Sequence, residues 1–172
     1  MNRTWKISLL ILILIGCASC DISTKWFATQ HLQNGPIIQV LPDVVELRYT
    51  ENDAIAFSML KSIALPTRNI IIYTTSTIAF IILSIITYQS RNESFLWLGS
   101  LMLILAGAIG NLIDRIMNGY VVDFIHLHYG NDVSWPIFNV ADVTITIGAL
   151  ILAVLMFRKS SEKKNEISES VY

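Results

Sequence analysis

Apolar residues along this chain fall into four long blocks set apart by polar stretches, and they do not recur at the period of an amphipathic helix or a half-buried strand. The blocks cover about 7–20, 70–88, 95–113 and 137–157, and the first extends to about 5–22 when Trp5 and Ile22 are included. A helix crosses a bilayer with about 20 mostly apolar residues. None of the four blocks contains Lys, Arg or an interior proline outside the flanks of the first, and within them only the last contains an acid, Asp142. Four membrane-spanning helices are therefore predicted.

The basic residues orient them. An even number of spans puts both termini on one side. Arg3 and Lys6 precede the first block, Arg91 lies in the short link between the second and third, and Arg158, Lys159, Lys163 and Lys164 follow the fourth. The positive-inside rule places these segments in the cytoplasm and the 1–2 and 3–4 loops outside. The tail 158–172 is polar and aperiodic and is expected to be disordered.

The outward 1–2 loop has a pattern of its own. Gly35-Pro36 and Pro42-Asp43 signal turns. Val45, Leu47 and Tyr49 alternate with Glu46, Arg48 and Thr50, as in a half-buried strand. A β-rich platform over about 26–68 is expected, too small to hold a core alone and therefore leaning on the helix ends. The predicted fold class is membrane all-α with a small β appendage: a four-transmembrane-helix bundle forming a single integral membrane domain over 1–172.

Composition agrees with this picture. Of 172 residues, 53% are hydrophobic and 15% charged, against the roughly 25% charged residues of an ordinary soluble domain. A soluble enzyme, a disordered chain and a collagen-like or repeat protein are excluded. A net charge of -1 removes the electrostatic case for nucleic acid. The N-terminus also resembles a lipoprotein signal, with Leu14-Ile15-Gly16-Cys17 closing an apolar run that follows basic residues. Three further spans argue against that reading. Cys17 and Cys20 have helix packing as their default reading; three apart, they also invite a disulfide or metal reading, for which a lone pair is weak evidence, and no role is assigned to them.

Candidate chemistry gathers in one layer. Asp21 and Lys25 end the first span on the outward side, Asn111, Asp114 and Arg115 end the third, Asn139 and Asp142 begin the fourth, and Asp123 lies in the outward 3–4 loop. Polar and ionisable groups at membrane depth are costly, so such a layer marks a functional site. Asn139 and Asp142 are three apart and share a helix face, with Trp135-Pro136 suited to an interfacial helix start. The 3–4 loop is long enough to bring Asp123 to Asp142. Two carboxylates in contact share a proton and so supply an acid and a base together, enough to drive water onto a peptide carbonyl with no nucleophilic side chain. Ser58 and Ser134 lack a Gly-x-Ser-x-Gly elbow.

Structural roles compete with these. Asp142 can simply complement the helix dipole, Asp114-Arg115 can be an interfacial ion pair, and Asp21 and Lys25 can pair at i, i+4. Asp123, His126 and His128 have a metal-like spacing, but the alternating segment makes the histidines strand residues first. A transporter or channel subunit would want acids at mid-depth on several helices and an internal repeat, and neither is visible.

At this point the residues resemble a known family. Gly110-Asn111-Leu112-Ile113-Asp114-Arg115, Gly119-Tyr120-Val121-Val122-Asp123-Phe124 and Phe138-Asn139-Val140-Ala141-Asp142 resemble, in order and spacing, the motifs of lipoprotein signal peptidase (signal peptidase II). Asp21-Ile22-Ser23-Thr24-Lys25 is similar to its Asp-Gln-x-Thr-Lys, and the segment from Asn52 to Ser58 to its Asn-x-Gly-x-Ala-Phe-Ser. The resemblance implies a four-helix intramembrane aspartyl protease of the bacterial inner membrane. It would remove the signal peptide of prolipoproteins just before a diacylglyceryl-modified cysteine. Asp123 and Asp142 would be the catalytic pair; Asn52, Asn111, Arg115 and Asn139 would line the substrate pocket, supported by Asp21 and Lys25. The implied partners are diacylated prolipoproteins and membrane lipids, acting on a monomer without metal or other cofactor. Ile22, Ala54 and Ala106 depart from the family pattern, at positions where it has Gln, Gly and Gly.

Overall fold

The computed structural model describes residues 3–53, 65–130 and 132–169. Its elements are α1 (Arg3–Leu32), β1 (Ile38–Leu41), β2 (Val45–Asn52), α2 (Leu65–Gln89), α3 (Phe95–Asn118), β3 (Val121–Tyr129), β4 (Val133–Ser134) and α4 (Val140–Glu169). All four helices among the described residues are long and apolar enough to cross a membrane. The expected class, a four-helix membrane bundle with a small β appendage, is the one observed.

The hub is α3, which packs against α1, α2 and α4. Half of its spanning stretch is buried, against 11–17% for the other three, so those helices turn most of their apolar surface outward. Ile78, Ile81, Ile82 and Ile85 of α2 are examples. A soluble protein avoids an apolar face of this extent, whereas hydrocarbon is its natural solvent. Local signals bound the hub helix. Ser94 accepts the Trp97 N–H at its start, and Gly119 ends it in the left-handed region (φ 86), its N–H reaching Arg115 O at 3.1 Å.

Several boundaries differ from the sequence reading, three of them for reasons the structure makes plain. α1 runs ten residues beyond the expected 22, to Leu32. At 1.5 Å per residue it is about 45 Å long and exceeds the hydrocarbon core. Polar Asp21 and Lys25 do not end it because both are buried against other elements, and Ala28 and Leu32 then pack under the sheet with Val122 and Phe124. α4 begins at Val140 because Phe138 is held extended by two-way backbone bonds with Ile125, so Pro136 precedes the helix and does not open it. Over its described part, to Glu169, the tail expected to be disordered is helical. α4 continues to Glu169, since a helix already nucleated in the span extends cheaply through good helix formers such as Lys and Glu.

The platform is one antiparallel sheet in the order β1-β2-β3-β4, so the 1–2 and 3–4 loops are joined by strand pairing. Register between β2 and β3 shifts between Leu47 and Thr50, then resumes with Thr50 opposite Asp123 and Asn52 opposite Val121. Leu47 and Tyr49 lean on the core as their alternation predicted, but Glu46, read as solvent-facing, is buried. The opposite end of the bundle is basic. Lys6 Nζ donates to Glu93 O at 2.5 Å and Lys159 Nζ pairs with Glu93 at 2.7 Å, gathering the start of α1, the α2–α3 link and the far part of α4.

Close approach of α3 and α4 depends on missing side chains. A Cβ on Gly148 would lie 2.6 Å from Ser100 O, and one on Gly107 would overlap Ala141 O. Gly148→Ala should therefore destabilise the bundle by about 1–3 kcal/mol, read as a lowered thermal midpoint in detergent. Gly16→Ala, with nothing within 4 Å of the new Cβ, should leave the midpoint unchanged.

Candidate active site

Where the sheet meets the helix ends, nine of the singled-out residues belong to one polar network: Asp21, Lys25, Asn52, Asn111, Asp114, Arg115, Asp123, Asn139 and Asp142. Its centre is Lys25, almost fully buried on α1. Lys25 Nζ lies 2.8 Å from Asp21, 3.1 Å from Asp114 and 2.8 Å from Asn111 Oδ1. Each carboxylate then fixes a backbone. Asp21 Oδ1 accepts the Ala141 N–H at 2.7 Å, holding the first turn of α4. Asp114 Oδ2 accepts the Val122 N–H at 3.0 Å, holding β3 beside α3. Gly110 makes room for this, because a Cβ there would overlap the Asp21 carboxylate.

Asn139 and Asp142 form a reciprocal cap at the start of α4. Asp142 N–H donates to Asn139 Oδ1 at 3.0 Å, and Asn139 N–H donates to Asp142 Oδ2 at 3.3 Å. The Asn139 Nδ2 group, fully buried, donates to Asp123 Oδ1 at 2.6 Å and to Asn111 Oδ1 at 3.2 Å. Asn111 Nδ2 donates to Asp142 Oδ1 at 3.0 Å. Two side-chain amides thus link the two carboxylates. From the other side, Asn52 Nδ2 at the end of β2 donates to Asp123 Oδ2 at 2.8 Å. Arg115 Nη1 donates to Asn111 O at 3.3 Å, and its charge acts on Asp142, Asp123 and Asp114.

The carboxylates sit in different surroundings. Asp123 is 2% exposed. Burial pushes its pKa up to about 6, aided by the charge of Asp142 and opposed by the hydrogen bonds from Asn52 and Asn139. Asp142 is half-buried and opens on a cavity of about 270 Å³ lined otherwise by Thr146 and by apolar side chains, including Leu127, Trp135, Phe138 and Val143. A larger cavity of about 540 Å³ lies at the basic end beside Lys6 and Arg91, and neither aspartate lines it.

Sequence reasoning left some of this unread. Asp114, placed in the polar layer and weighed as an ion pair with Arg115, has Lys25 and the β3 backbone as its partners. Its i+3 spacing from Asn111 was the available signal. Ser134 bonds His126 on the sheet, away from the aspartates. Ser58 and Ala54 lie outside the described residues. Ile22 points outward and Ala106 is buried in α3, so neither departure enters the network.

The signal peptidase (SPase) II family matches residues 11–158 of this chain. The chain belongs to that family. It is similar to lipoprotein signal peptidases from Chlorobaculum tepidum (40% identity, 92% of this chain and 99% of the relative) and Pseudomonas putida (38%, 93% and 88%). A similar relative in Streptococcus pneumoniae is 32% identical over 92% of this chain and 97% of its own length. Among solved structures, a bacterial membrane enzyme determined by the in meso method at 2.3 Å superposes with a TM-score of 0.74 and 28% identity, covering 91% of this chain and 92% of that one. A second, at 1.9 Å, gives 0.71 and 29%, covering 87% and 93%. As a signal peptidase II, the chain is a multi-pass membrane protease.

The buried ammonium gives a direct test of the network. Lys25→Met strands two buried carboxylates and should cost about 3–5 kcal/mol. Thermal unfolding in detergent should show this as a large drop, with recovery in Lys25→Met combined with Asp21→Asn and Asp114→Asn.

Proposed function

We propose that this signal peptidase II is an aspartyl endopeptidase in which Asp123 and Asp142 act together on water. It removes the signal peptide of diacylglyceryl-modified prolipoproteins and cleaves just before the lipidated cysteine. The observation that carries the reading is the pair of unlike carboxylates on one amide relay, one buried and one opening on an apolar cavity.

In this reading Asp123, whose proton affinity burial raises, supplies the acid, and Asp142 supplies the base. Asp142 takes a proton from water as the water oxygen bonds to the scissile carbonyl carbon. Asp123 gives its proton to the carbonyl oxygen, leaving a neutral gem-diol. On collapse, Asp142 hands its proton to the departing amide nitrogen while Asp123 recovers one from a gem-diol hydroxyl, and the C–N bond breaks. Both carboxyls return to their starting states. Such a pair titrates as a unit.

Asn52, Asn111, Asn139 and Arg115 serve binding and orientation. Asn52 and Asn139 carry both donors and acceptors, which an extended peptide matches. Arg115 holds the interfacial charge, while Asp21 and Lys25 keep α1 and α4 in place. The termini and basic end face the cytoplasm of a bacterial inner membrane, the sheet lies at the outer leaflet, and the enzyme works as a monomer. The precursor enters sideways so that its acyl chains never leave hydrocarbon, and the sheet around Asn52 excludes water once it is seated.

In a cleavage assay on diacylated prolipoprotein, Asp123→Asn and Asp142→Asn should each abolish turnover with normal membrane insertion, and the double variant should be no worse than either. More than about a tenth of wild-type activity in a single variant would refute the pair. Asn52→Ala and Arg115→Ala should impair capture, and unlipidated precursor should be a poor substrate. The alkaline limb of kcat/KM should fall near the Asp123 value of about 6. Removing the Asn52 bond, which favours the charged form, should move that limb to higher pH.

A further inference from the structure

A second cluster lies on the sheet, away from the aspartates. Glu46 on β2 pairs in register with His126 on β3, and His128 follows two residues on, on the same face of the strand. The ligand atoms of the three residues all lie within 4.8 Å of one another. Asp123, which the sequence spacing suggested as the third member, is an odd number of positions from both histidines. It therefore points to the opposite face and is taken up by Asn52 and Asn139.

We propose that Glu46, His126 and His128 form a divalent-metal site of the zinc class, which staples β2 to β3. The donor geometry suits it. Tetrahedral zinc at about 2.0–2.1 Å from its ligands needs donor atoms about 3.3 Å apart. His126 Nδ1 is 2.8 Å from Glu46 Oε1, and His128 Nε2 is 3.7 Å from Glu46 Oε2, distances that bracket this value. The histidine rings stack, with centroids 5.2 Å apart, so both present their edges to the same carboxylate.

The tautomer of His128 adds a separate argument. Its Nδ1 lies 3.1 Å from Gly130 O, an oxygen that can only accept, so Nδ1 carries the proton. In the neutral ring, Nε2 is then a bare lone pair. It is buried and without a hydrogen-bond partner among the described residues, and it faces the cluster. A lone pair in that state costs stability unless something such as a cation satisfies it. Outer partners are in place too. His126 Nε2 lies 2.8 Å from Ser134 Oγ, which can accept an N–H once Nδ1 turns to a metal, and Gln39 Nε2 donates to Glu46 Oε2 at 2.9 Å. Three protein ligands leave one position for water.

The consequence is mechanical. The β2–β3 pair carries this cluster on one side of its register shift and the Asn52–Asp123 contact on the other. A metal clamping the first end holds the strands in the register that the second requires.

The test uses the tag-free full chain in detergent, stripped with chelator and titrated with zinc ion alone. Wild type should bind one zinc per chain and gain thermal stability on binding. His128→Ala and Glu46→Gln should each weaken binding at least tenfold and lose the zinc-dependent gain. His31→Ala, which removes the remaining histidine of the chain, should bind as wild type does. If His128→Ala folds poorly, His128→Gln gives the same readout, and the wild-type stoichiometry decides by itself. Absence of stoichiometric zinc in wild type, or undiminished binding in the His128 and Glu46 variants, would overturn the site.

Discussion

The ammonium of Lys25 is the contact on which the rest of the site depends. It sits among Asp21, Asp114 and Asn111, out of reach of water. A buried charge without partners costs several kcal/mol, so this one admits few arrangements of its neighbours. Through Asp21 it fixes the first turn of α4, and through Asp114 it fixes the start of β3. One positive charge thereby sets the relative position of three helices and a strand. The two proposed catalytic aspartates lie on two of the elements it holds.

Asn139 shows how tightly scaffold and site are coupled. Its backbone and side chain make the cap of α4 with Asp142, while its amide group donates to Asp123. The same residue therefore starts the helix that carries one carboxylate and orients the other. Any shift in where α4 begins would break both functions at once. That start is set by a tertiary contact, the pairing of Phe138 with Ile125, which keeps the chain extended until Asn139. A helix begun at Pro136 would have moved Asn139 into its interior.

The two ends of the bundle divide the work. The basic end gathers Lys6, Arg91 and Lys159 around the α2–α3 link, and none of the aspartates of the network lies there. The sheet end holds every buried acid of the network. Between them, α2 and the outer faces of α1 and α4 meet lipid with exposed isoleucine, leucine and phenylalanine. Segregation of this kind lets a buried polar network sit against hydrocarbon while its polar groups remain satisfied.

The sequence by itself determined the number of spans, the basic end, the polar layer at the other end and the residues within it. Hydrocarbon imposes its requirement on each residue separately, so composition along the chain records it directly. The tertiary structure decided what that local record cannot hold. α1 continues past Asp21 and Lys25 because distant partners neutralise them, and α4 starts late because β3 claims Phe138. Two loops far apart in the chain become one sheet, and a shift of register within it sets Asn52 against Asp123 while turning Glu46 inward to the histidines. Alternation in β2 predicted Glu46 at the surface. Only pairing with β3 could show that its face was already occupied, because strand partners are chosen by long-range hydrogen bonds that leave no period in either segment.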